Sequence, residues 1–415
     1  MMDSPRDLET LYRSDPDLFA NEFSEVFAQY SNSKILQVWN ERLFFKDEME
    51  TQPSKITHAW NKNEVFLVIV LSLLAGTLVK IPQFITSIKE EYFYPRNLSL
   101  IVFMSLAAYF LFNKTRSTKN IIVIIAIFIV ALVFINLLPE GNNSQTLILS
   151  FLHMPFFLWS LLGLAFLGDQ WGKFSERMDY IRYNGEVIIY TTIVLIGGAV
   201  LTAITLGLFK LINIKIEEWY FKYVVVYGAV ASPIVSTYVA DRISGHRIRI
   251  ASILAKLFSP LFLVTLIVYL LAMIVLQKSP YTDRDFLILF NILLLVVLAL
   301  TVFSISERKV VDTVIFFDYV NLSLVFVTLV IDVVALSAIL FRLASYGYTP
   351  NRIAVLGANI IVFCHLVGIL YRYIHFIRRN SEFDKLNMWI TNYLPIYSVW
   401  TGIVTFGFPI IFWFK

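Results

Sequence analysis

About eleven long apolar stretches follow one another along this chain, from Val65 to Phe414, and they leave almost no room for a soluble domain. The hydrocarbon core of a bilayer is about 30 Å thick, so a helix that spans it needs ~20 apolar residues. Lipid offers no hydrogen-bond partners, and an α-helix satisfies its own backbone. The pattern therefore predicts an all-α fold, a polytopic transmembrane helical bundle in contact with the lipid bilayer.

Composition agrees with this prediction and removes several classes of function. Apolar residues make up 58% of the chain and charged residues 15%, whereas soluble domains carry about 25% charged residues. The net charge of +4 is small, so we expect no nucleic-acid partner. A single cysteine, Cys364, excludes an intramolecular disulfide or a thiolate metal cluster. Phosphate-binding glycine loops, metalloprotease helices and serine-hydrolase elbows are absent, so we expect no cofactor and no metal, and enzyme activity is not favoured.

Eleven spans are predicted, with ends uncertain by a few residues. The second is short enough to suggest a re-entrant segment. Together they form a transmembrane domain over residues 63–415. The spans are 65–84, 98–112, 121–138, 147–167, 187–209, 223–240, 257–276, 286–303, 322–341, 353–371 and 396–414.

Residues 1–62 are amphipathic and form a separate helical segment. Ser14-Asp15-Pro16 is typical of a helix start, and apolar residues from Leu18 to Tyr30 then recur at helical spacing. Ser33 is placed to cap a second helix. Two interpretations remain open: the helices pack on each other or on the membrane domain, or residues 14–46 bind a partner protein or a second copy of the chain.

Loop charges predict the orientation of the chain in the membrane. One set of loops holds most of the arginines and lysines, in segments such as 114–119, 242–249 and 308–309, while the opposite loop 139–145 holds none. Cytoplasmic loops carry the excess of these residues. The basic set shares a side with the N-terminus, so we expect a cytoplasmic N-terminus and, with an odd number of spans, an external C-terminus.

The turn between the ninth and tenth spans is the most specific local motif. It reads Arg-Leu-Ala-Ser-Tyr-Gly-Tyr-Thr-Pro-Asn-Arg over residues 342–352. Gly347 permits a tight reversal, and Thr349-Pro350 can begin the next helix. The simpler interpretation is a rigid helical hairpin, and the alternative is a site for an anionic headgroup or substrate. The candidate contacts for such an anion are Arg342, Tyr346 and Arg352.

This turn resembles a bacterial multi-pass family, domain-of-unknown-function family 4153, in which an Arg, a Tyr-Gly-x-Thr and an Arg join two apolar helices. The segment Ala255-Lys-Leu-Phe-Ser-Pro-Leu-Phe-Leu and its following spans are also similar, so the likeness covers roughly residues 253–373. Tyr348, where the family often has Leu or Ile, and Pro350 depart from its pattern. The resemblance implies a bacterial inner-membrane protein and carries no mechanism, because the family's function is unknown.

Ionisable residues inside spans are the remaining functional evidence, because a charge in lipid is costly and usually faces a bundle interior or a cavity. At 1.5 Å per residue, Asp332 and His365 lie roughly 15 and 20 Å below the same turn. His153 enters from the same predicted side. Asp332, His365 and His153 therefore form a candidate buried polar site, either a proton or ion site or a structural hydrogen bond between helices.

Two classes of function follow from these residues. The first is a permease or transporter of a small solute or ion, favoured by the number of spans, the prolines within them and the buried pair Asp332 and His365. The second is a non-catalytic membrane scaffold or sensor whose N-terminal helices bind a partner. A polar cavity that joins the pair favours the first class, and a tightly packed bundle with an exposed apolar face on the N-terminal helices favours the second.

Overall fold

The computed structural model divides the chain into two compact units, Met1–Glu64 and Val65–Lys415. Each is treated separately below. The residues that the structure describes are 5–14, 19, 22–23, 26–27, 30, 33–44, 62–114, 117–139, 144–211, 214–243, 250–275, 281, 284–308, 313–379 and 381–414.

The N-terminal unit contains helices α1 (Pro5–Ser14) and α2 (Lys34–Phe44), with further helical residues between them. Helix α2 begins directly after Ser33, where the sequence predicted a cap. The prediction of a helix start at residues 14–16 is wrong at Ser14, which is the last residue of α1, and Asp15 and Pro16 lie outside the described residues. The sequence analysis missed α1, since so short a helix offers few apolar positions.

A small apolar core holds the described part of this unit together. Leu8 of α1 packs with Phe23, Leu36 and Trp39. On its surface, Glu9 accepts hydrogen bonds from Arg13 and Arg42 at 2.9 and 2.7 Å. These two guanidinium groups lower the pKa of the Glu9 carboxyl. Phe19, Phe23, Val26 and Phe27, four of the apolar positions at helical spacing, therefore belong to this core, and an ion network joins α1 to α2.

The second unit is helical in every long segment that the structure describes. Several of its helices contain irregular turns. A helical turn at Ile81–Phe84 follows α3, the segments Glu217–Trp219 and Tyr220–Val225 precede α8, and Ile403–Gly407 and Phe408–Ile411 follow α13. The principal helices are α3 (Lys62–Val79), α4 (Glu90–Asn113), α5 (Thr118–Leu137), α6 (Gln145–Leu167), α7 (Phe174–Leu211), α8 (Val226–Ile243), α9 (Ile250–Val275), α10 (Arg284–Ser306), α11 (Phe316–Tyr346), α12 (Pro350–Ile377) and α13 (Asp384–Gly402).

Apolar helices coincide with all of the predicted spans. Within the described residues, nine helices are long and apolar enough to cross a membrane, and shorter apolar stretches, Lys256–Leu271 and Phe290–Ser306, lie within α9 and α10. The expectation of a short or re-entrant second span is wrong, because α4 begins at Glu90 and has 24 residues. Its first turns carry polar residues that hid them from a search for apolar runs. The chain is a multi-pass integral membrane protein.

Burial separates lipid-facing from protein-facing surfaces. Residues 192–201 of α7 are all exposed and almost all apolar or small, as expected of a surface covered by lipid. Helix α11 is the opposite case, because it packs against α9, α10 and α12 and has buried residues along its length, from Asp318 to Ile339. The candidate polar residue Asp332 therefore lies on one of the most enclosed helices of the described structure.

Helices α12 and α13 approach each other closely at two glycines. A Cβ at Gly357 would overlap the ring of Trp400, and a Cβ at Gly368 would overlap the ring of Trp389. Both glycines lie on α12 and both tryptophans on α13. The two glycines are eleven positions apart along the chain, and so are the two tryptophans. Because the helices are antiparallel, the two contacts have the same register and bracket the segment that contains His365.

Candidate functional site

Asp332 lies close to the middle of α11, about 21 Å from the end of the helix at Tyr346 when each residue adds 1.5 Å. Its side chain is completely buried, with 0% exposure. It therefore faces protein rather than lipid. Position and burial place the carboxyl group deep within the hydrophobic part of the bundle, where an ion is most expensive.

The carboxyl group of Asp332 has no hydrogen-bond partner among the described residues, at either oxygen. Polar groups in protein interiors are nearly always paired, and an unpaired one costs on the order of 1–3 kcal/mol. In the described structure no basic side chain forms an ion pair with Asp332. A buried carboxyl without partners is energetically unfavourable, which indicates that this carboxyl binds a proton or another ligand.

His365 occupies a comparable depth on α12, about 22 Å from Pro350, and is 1% exposed. Its Nδ1 lies 2.9 Å from the hydroxyl of Tyr397 on α13. Its Nε2 is buried without a hydrogen-bond partner among the described residues. One ring nitrogen is thus held by protein, and the other is open to a proton or a ligand.

Aromatic residues of α13 surround His365, and Tyr397 is the one whose hydroxyl hydrogen-bonds the histidine ring. Tyr393, one turn away, stacks on His365 with 4.3 Å between ring centroids, and Trp389 Nε1 donates to the His365 carbonyl at 3.2 Å. The sequence analysis missed these aromatic residues because aromatic side chains are common on α13, and only the contact with His365 distinguishes them.

His153 does not join this site in the described structure. Its Nδ1 lies 2.9 Å from the carbonyl oxygen of Leu149, in the preceding turn of its own helix α6. No hydrogen bond links it to Asp332 or to His365 among the residues the structure describes. The sequence analysis grouped His153 with them by depth alone, and depth does not determine which helices are neighbours.

The turn between α11 and α12 has the form expected of a tight helical hairpin. Gly347 has φ 76° and ψ 177°, a conformation poorly suited to other residues. The Thr349 side chain accepts a hydrogen bond from the Arg352 amide at 3.4 Å, and Pro350 is the first residue of α12. Glycine, threonine and proline therefore each have the local role that the sequence indicates.

The two arginines of this turn differ in their surroundings. Arg352 Nη1 donates to the carbonyl oxygens of Tyr346 and Gly347, at 2.7 Å each, and so caps the C-terminal end of α11. Arg342 Nε is buried without a hydrogen-bond partner among the described residues. Tyr346 is 66% exposed. The guanidinium of Arg352 is already engaged by protein, and headgroup binding by Arg342, Tyr346 and Arg352 stays a prediction.

A buried ion pair at the start of α11 was not singled out by the sequence analysis. Arg308 Nε and Nη2 donate to the two carboxylate oxygens of Asp318, at 2.8 and 3.0 Å. Asp318 also accepts from the Ile315 amide at 2.8 Å, and the Arg308 guanidinium lies 4.1 Å from the Phe383 ring centre. Both side chains are nearly inaccessible. This pair holds the α10–α11 connection against α13, so its role is structural.

Metal and cofactor sites can be assessed for the described part of the chain. No group of three or more His, Cys, Asp or Glu side chains there is close enough to hold a metal ion. Cys364 is exposed and reduced. The polar groups of the candidate residues Asp332, His365 and Tyr397 are a carboxyl, an imidazole and a phenol hydroxyl, a set suited to protons or to a small cation with oxygen ligands.

No protein-family model matches this chain, and no curated protein or solved structure matches it.

Proposed function

We propose that this integral membrane protein is a permease for a small solute or ion, and that Asp332 is its coupling site. The proposal rests on one observation: a completely buried carboxyl, midway along a membrane helix, has neither oxygen bonded within the described structure. Buried ionisable groups in membrane proteins commonly mark ion pathways and proton relays. Transporters also place their sites near the bilayer midplane.

The neighbouring groups support a role in moving a proton or cation. A protonated Asp332 is neutral and has a donor to offer, whereas the ionised form needs a cation or several donors. The Nε2 atom of His365 has no hydrogen-bond partner among the described residues, and its Nδ1 atom is hydrogen-bonded to Tyr397. A proton or small cation that binds there would satisfy polar groups that have no partner among the described residues.

Ion flux through the reconstituted protein tests this function. Purified full-length protein is placed in liposomes that contain a pH-sensitive dye, and proton movement is followed after gradients of Na⁺, K⁺, Li⁺ or H⁺ are imposed. We expect flux above that of empty liposomes, and a loss of at least about tenfold for Asp332→Asn, equivalent to ~1.4 kcal/mol. The control is Asp169→Asn, an exposed carboxyl outside the site. Equal flux through Asp332→Asn and wild-type protein would rule out the coupling role.

A scaffold or sensor is the second candidate, and the N-terminal unit favours it. That unit has its own apolar core, yet Val38 is 68% exposed and Tyr30 63% exposed. Residues 14–46 would then bind a partner or a second copy of the chain. Val38→Cys, compared with Glu41→Cys on a polar position and each combined with Cys364→Ser, allows crosslinking in membranes. A crosslink specific to position 38, in a protein without ion flux, supports this class over the permease.

Membership of domain-of-unknown-function family 4153, a location in a bacterial inner membrane, a cytoplasmic N-terminus and an external C-terminus belong to the same proposal. The loop charges and the turn at residues 342–352 support them. Reporter fusions after Asp3 and at Lys415 test the orientation. Two reporters on one side of the membrane would contradict an odd number of spans.

A further inference from the structure

The ammonium group of Lys114 lies in a box of aromatic rings at the end of α4. Its Nζ is 3.7 Å from the ring centre of Phe166, 4.8 Å from that of Tyr183 and 5.4 Å from that of Phe110. These rings come from helices α6, α7 and α4. Burial lowers the pKa of Lys114, while Asp241 opposes this shift. The box therefore holds a cation from several sides at a helix end.

Asp241 of α8 closes this box, and its charge is largely compensated. Lys114 Nζ is 3.4 Å from Oδ1, and the Tyr109 hydroxyl donates to Oδ2 at 2.7 Å. The lysine and aspartate side chains remain 30% and 20% exposed. An ammonium has three donors, and the described structure gives Lys114 one ion pair. Its other donors remain available to an anion that approaches from the accessible side.

A cavity of about 350 Å³ lies between α4, α6, α7 and α8, next to the box. Phe110 and Tyr183 line both features. This volume falls within the range of about 300–1,000 Å³ that is usual for small-molecule sites. The walls are mainly apolar, with a few polar groups such as the indole of Trp159, which donates to Asn184 at 2.7 Å.

The cavity is an apolar slot, and Lys114 lies beyond two of its lining residues, Phe110 and Tyr183. On α4 its wall is formed by Phe103, Leu106 and Phe110, and Lys114 follows at the same helical spacing, so all four lie along one face. From Phe103 to Lys114 the helix rises about 16 Å. The slot thus runs from the box toward the interior of the membrane, parallel to a lipid chain.

The neighbouring phase on the open side of the slot is lipid. Ile188 and Trp159 line the slot and are 57% and 40% exposed, and α7 continues from there into its lipid-facing residues 192–201. A molecule of the bilayer can therefore enter sideways, without passing through water.

From this geometry we infer that the slot binds one acyl chain of a membrane phospholipid, with the lipid phosphate at Lys114. The Lys114 ammonium is paired with Asp241 and has further N–H donors for the phosphate, and the aromatic rings hold the ammonium in position. The length and apolar walls of the slot suit the chain. This site is separate from Asp332 and does not depend on the permease proposal.

Thermal unfolding of the purified full-length protein in a neutral detergent tests the inference. Phosphatidylglycerol, diacylglycerol with the same chains, and inorganic phosphate are titrated separately. A ligand that binds only the folded state raises Tm with a saturable dependence on concentration. We expect phosphatidylglycerol to raise Tm at the lowest concentration, diacylglycerol to act about tenfold more weakly, and phosphate alone to have no effect.

Two pairs of variants locate the site. Lys114→Gln should weaken the response to phosphatidylglycerol about tenfold, to the level of diacylglycerol, while Lys119→Gln, an exposed lysine, should leave it unchanged. Thr191→Phe fills the slot and should abolish both lipid responses. Leu195→Phe lies one turn further along α7 on the lipid-facing surface and should abolish neither.

Three outcomes would overturn the inference. The first is an unchanged lipid response in Thr191→Phe, which would place the chain elsewhere. The second is an equal response of Lys114→Gln and Lys119→Gln to phosphatidylglycerol. The third is stabilisation by inorganic phosphate alone to the same extent as by the lipid, which would indicate an anion site without a chain. If Lys114→Gln does not fold, the slot variants decide the question.

Discussion

Two aspartates on α11 have the same burial and opposite surroundings. Asp318 and Asp332 are both 0% exposed. Asp318 receives two hydrogen bonds from Arg308 and one from the Ile315 amide. Asp332, fourteen residues further along, receives none within the described structure. The first has the partners that a buried carboxylate requires, and the second has none of them among the described residues.

This difference teaches that burial alone does not reveal the role of a polar group in a membrane protein. A structural carboxylate is recognised by its complete set of partners, because leaving it unpaired costs several kcal/mol. A carboxyl that is buried and unpaired destabilises the fold, and its presence is explained by a ligand or a proton. The contrast also gives quantitative expectations, since removal of the two carboxyl groups should change stability in opposite directions.

The largest effect is expected at the paired site. Arg308→Ala leaves Asp318 buried without its cation, so the free energy of unfolding should fall by about 3–5 kcal/mol. Denaturant unfolding in detergent, followed by tryptophan fluorescence, measures the loss. The control removes both charges: Arg308→Met with Asp318→Asn keeps an acceptor for the Ile315 amide. It should lose much less stability than Arg308→Ala, and an equal loss would contradict the pairing argument.

Asp332→Leu should change the free energy of unfolding in the opposite direction from Arg308→Ala. Removing an unsatisfied buried carboxyl should raise the free energy of unfolding by about 1–3 kcal/mol, while ion flux is lost. Asp332→Asn is the matched control, because it keeps the volume and the unpaired polar atoms and should give little of this gain. A large loss of stability in Asp332→Leu would show that Asp332 is structural, and the comparison with Asp318 would fail.

A smaller effect is expected for a satisfied neutral pair. Asn97 of α4 and Asn136 of α5 exchange two amide hydrogen bonds, at 3.0 and 2.9 Å. Interhelical bonds of this kind contribute about 0.6–1.7 kcal/mol in membranes, so Asn136→Leu should lower stability by roughly that amount. Asn351→Leu, at a position without a side-chain bond in the described residues, is the control. Equal results for the two variants would show that pairing contributes little here.

The smallest effect concerns Glu9 on the surface of the N-terminal unit. Arg13 and Arg42 lower its pKa from the usual 4.5, so the folded form binds its proton less readily than the unfolded form. The resulting stabilisation is present above about pH 4.5 and is lost as the pH falls through the lower folded value. Hydrogen exchange in α1 should increase over this range in wild-type protein but not in Glu9→Gln. The same pH response in both would exclude Glu9 as the cause.

The sequence predicted the spans well because lipid imposes one strong requirement, an apolar length that matches the membrane. All predicted spans coincide with apolar helices. The start of α4 was placed too late, since the residues around Arg96 are polar and are satisfied by contacts across helices, such as the bond from Arg96 to the Pro139 carbonyl at 3.1 Å. Such contacts cannot be inferred from hydropathy.

The candidate site was predictable only in part. Asp332 and His365 stood out because ionisable residues are rare in spans. Tyr397 did not, because its significance comes entirely from the packing of α13 against α12. The ion pair of Arg308 with Asp318 was hidden for a similar reason, since the sequence shows two charges near a loop and not that both are buried. Depth along a helix is readable from sequence, and the choice of neighbouring helix is not.

The two tryptophans that fit over glycines on α12 also limit how the molecule can move. The ring of Trp400 packs over Gly357 and the ring of Trp389 packs over Gly368, and the two glycines lie on either side of His365 along α12. Sliding α13 by one turn would drive both rings into neighbouring side chains at once. Helices α12 and α13 should therefore move together as a rigid body, and the hydrogen bond between His365 and Tyr397 should persist during any such movement. An opening that exposes Asp332 to water is then expected between α11 and the helices that pack against it, and not between α12 and α13.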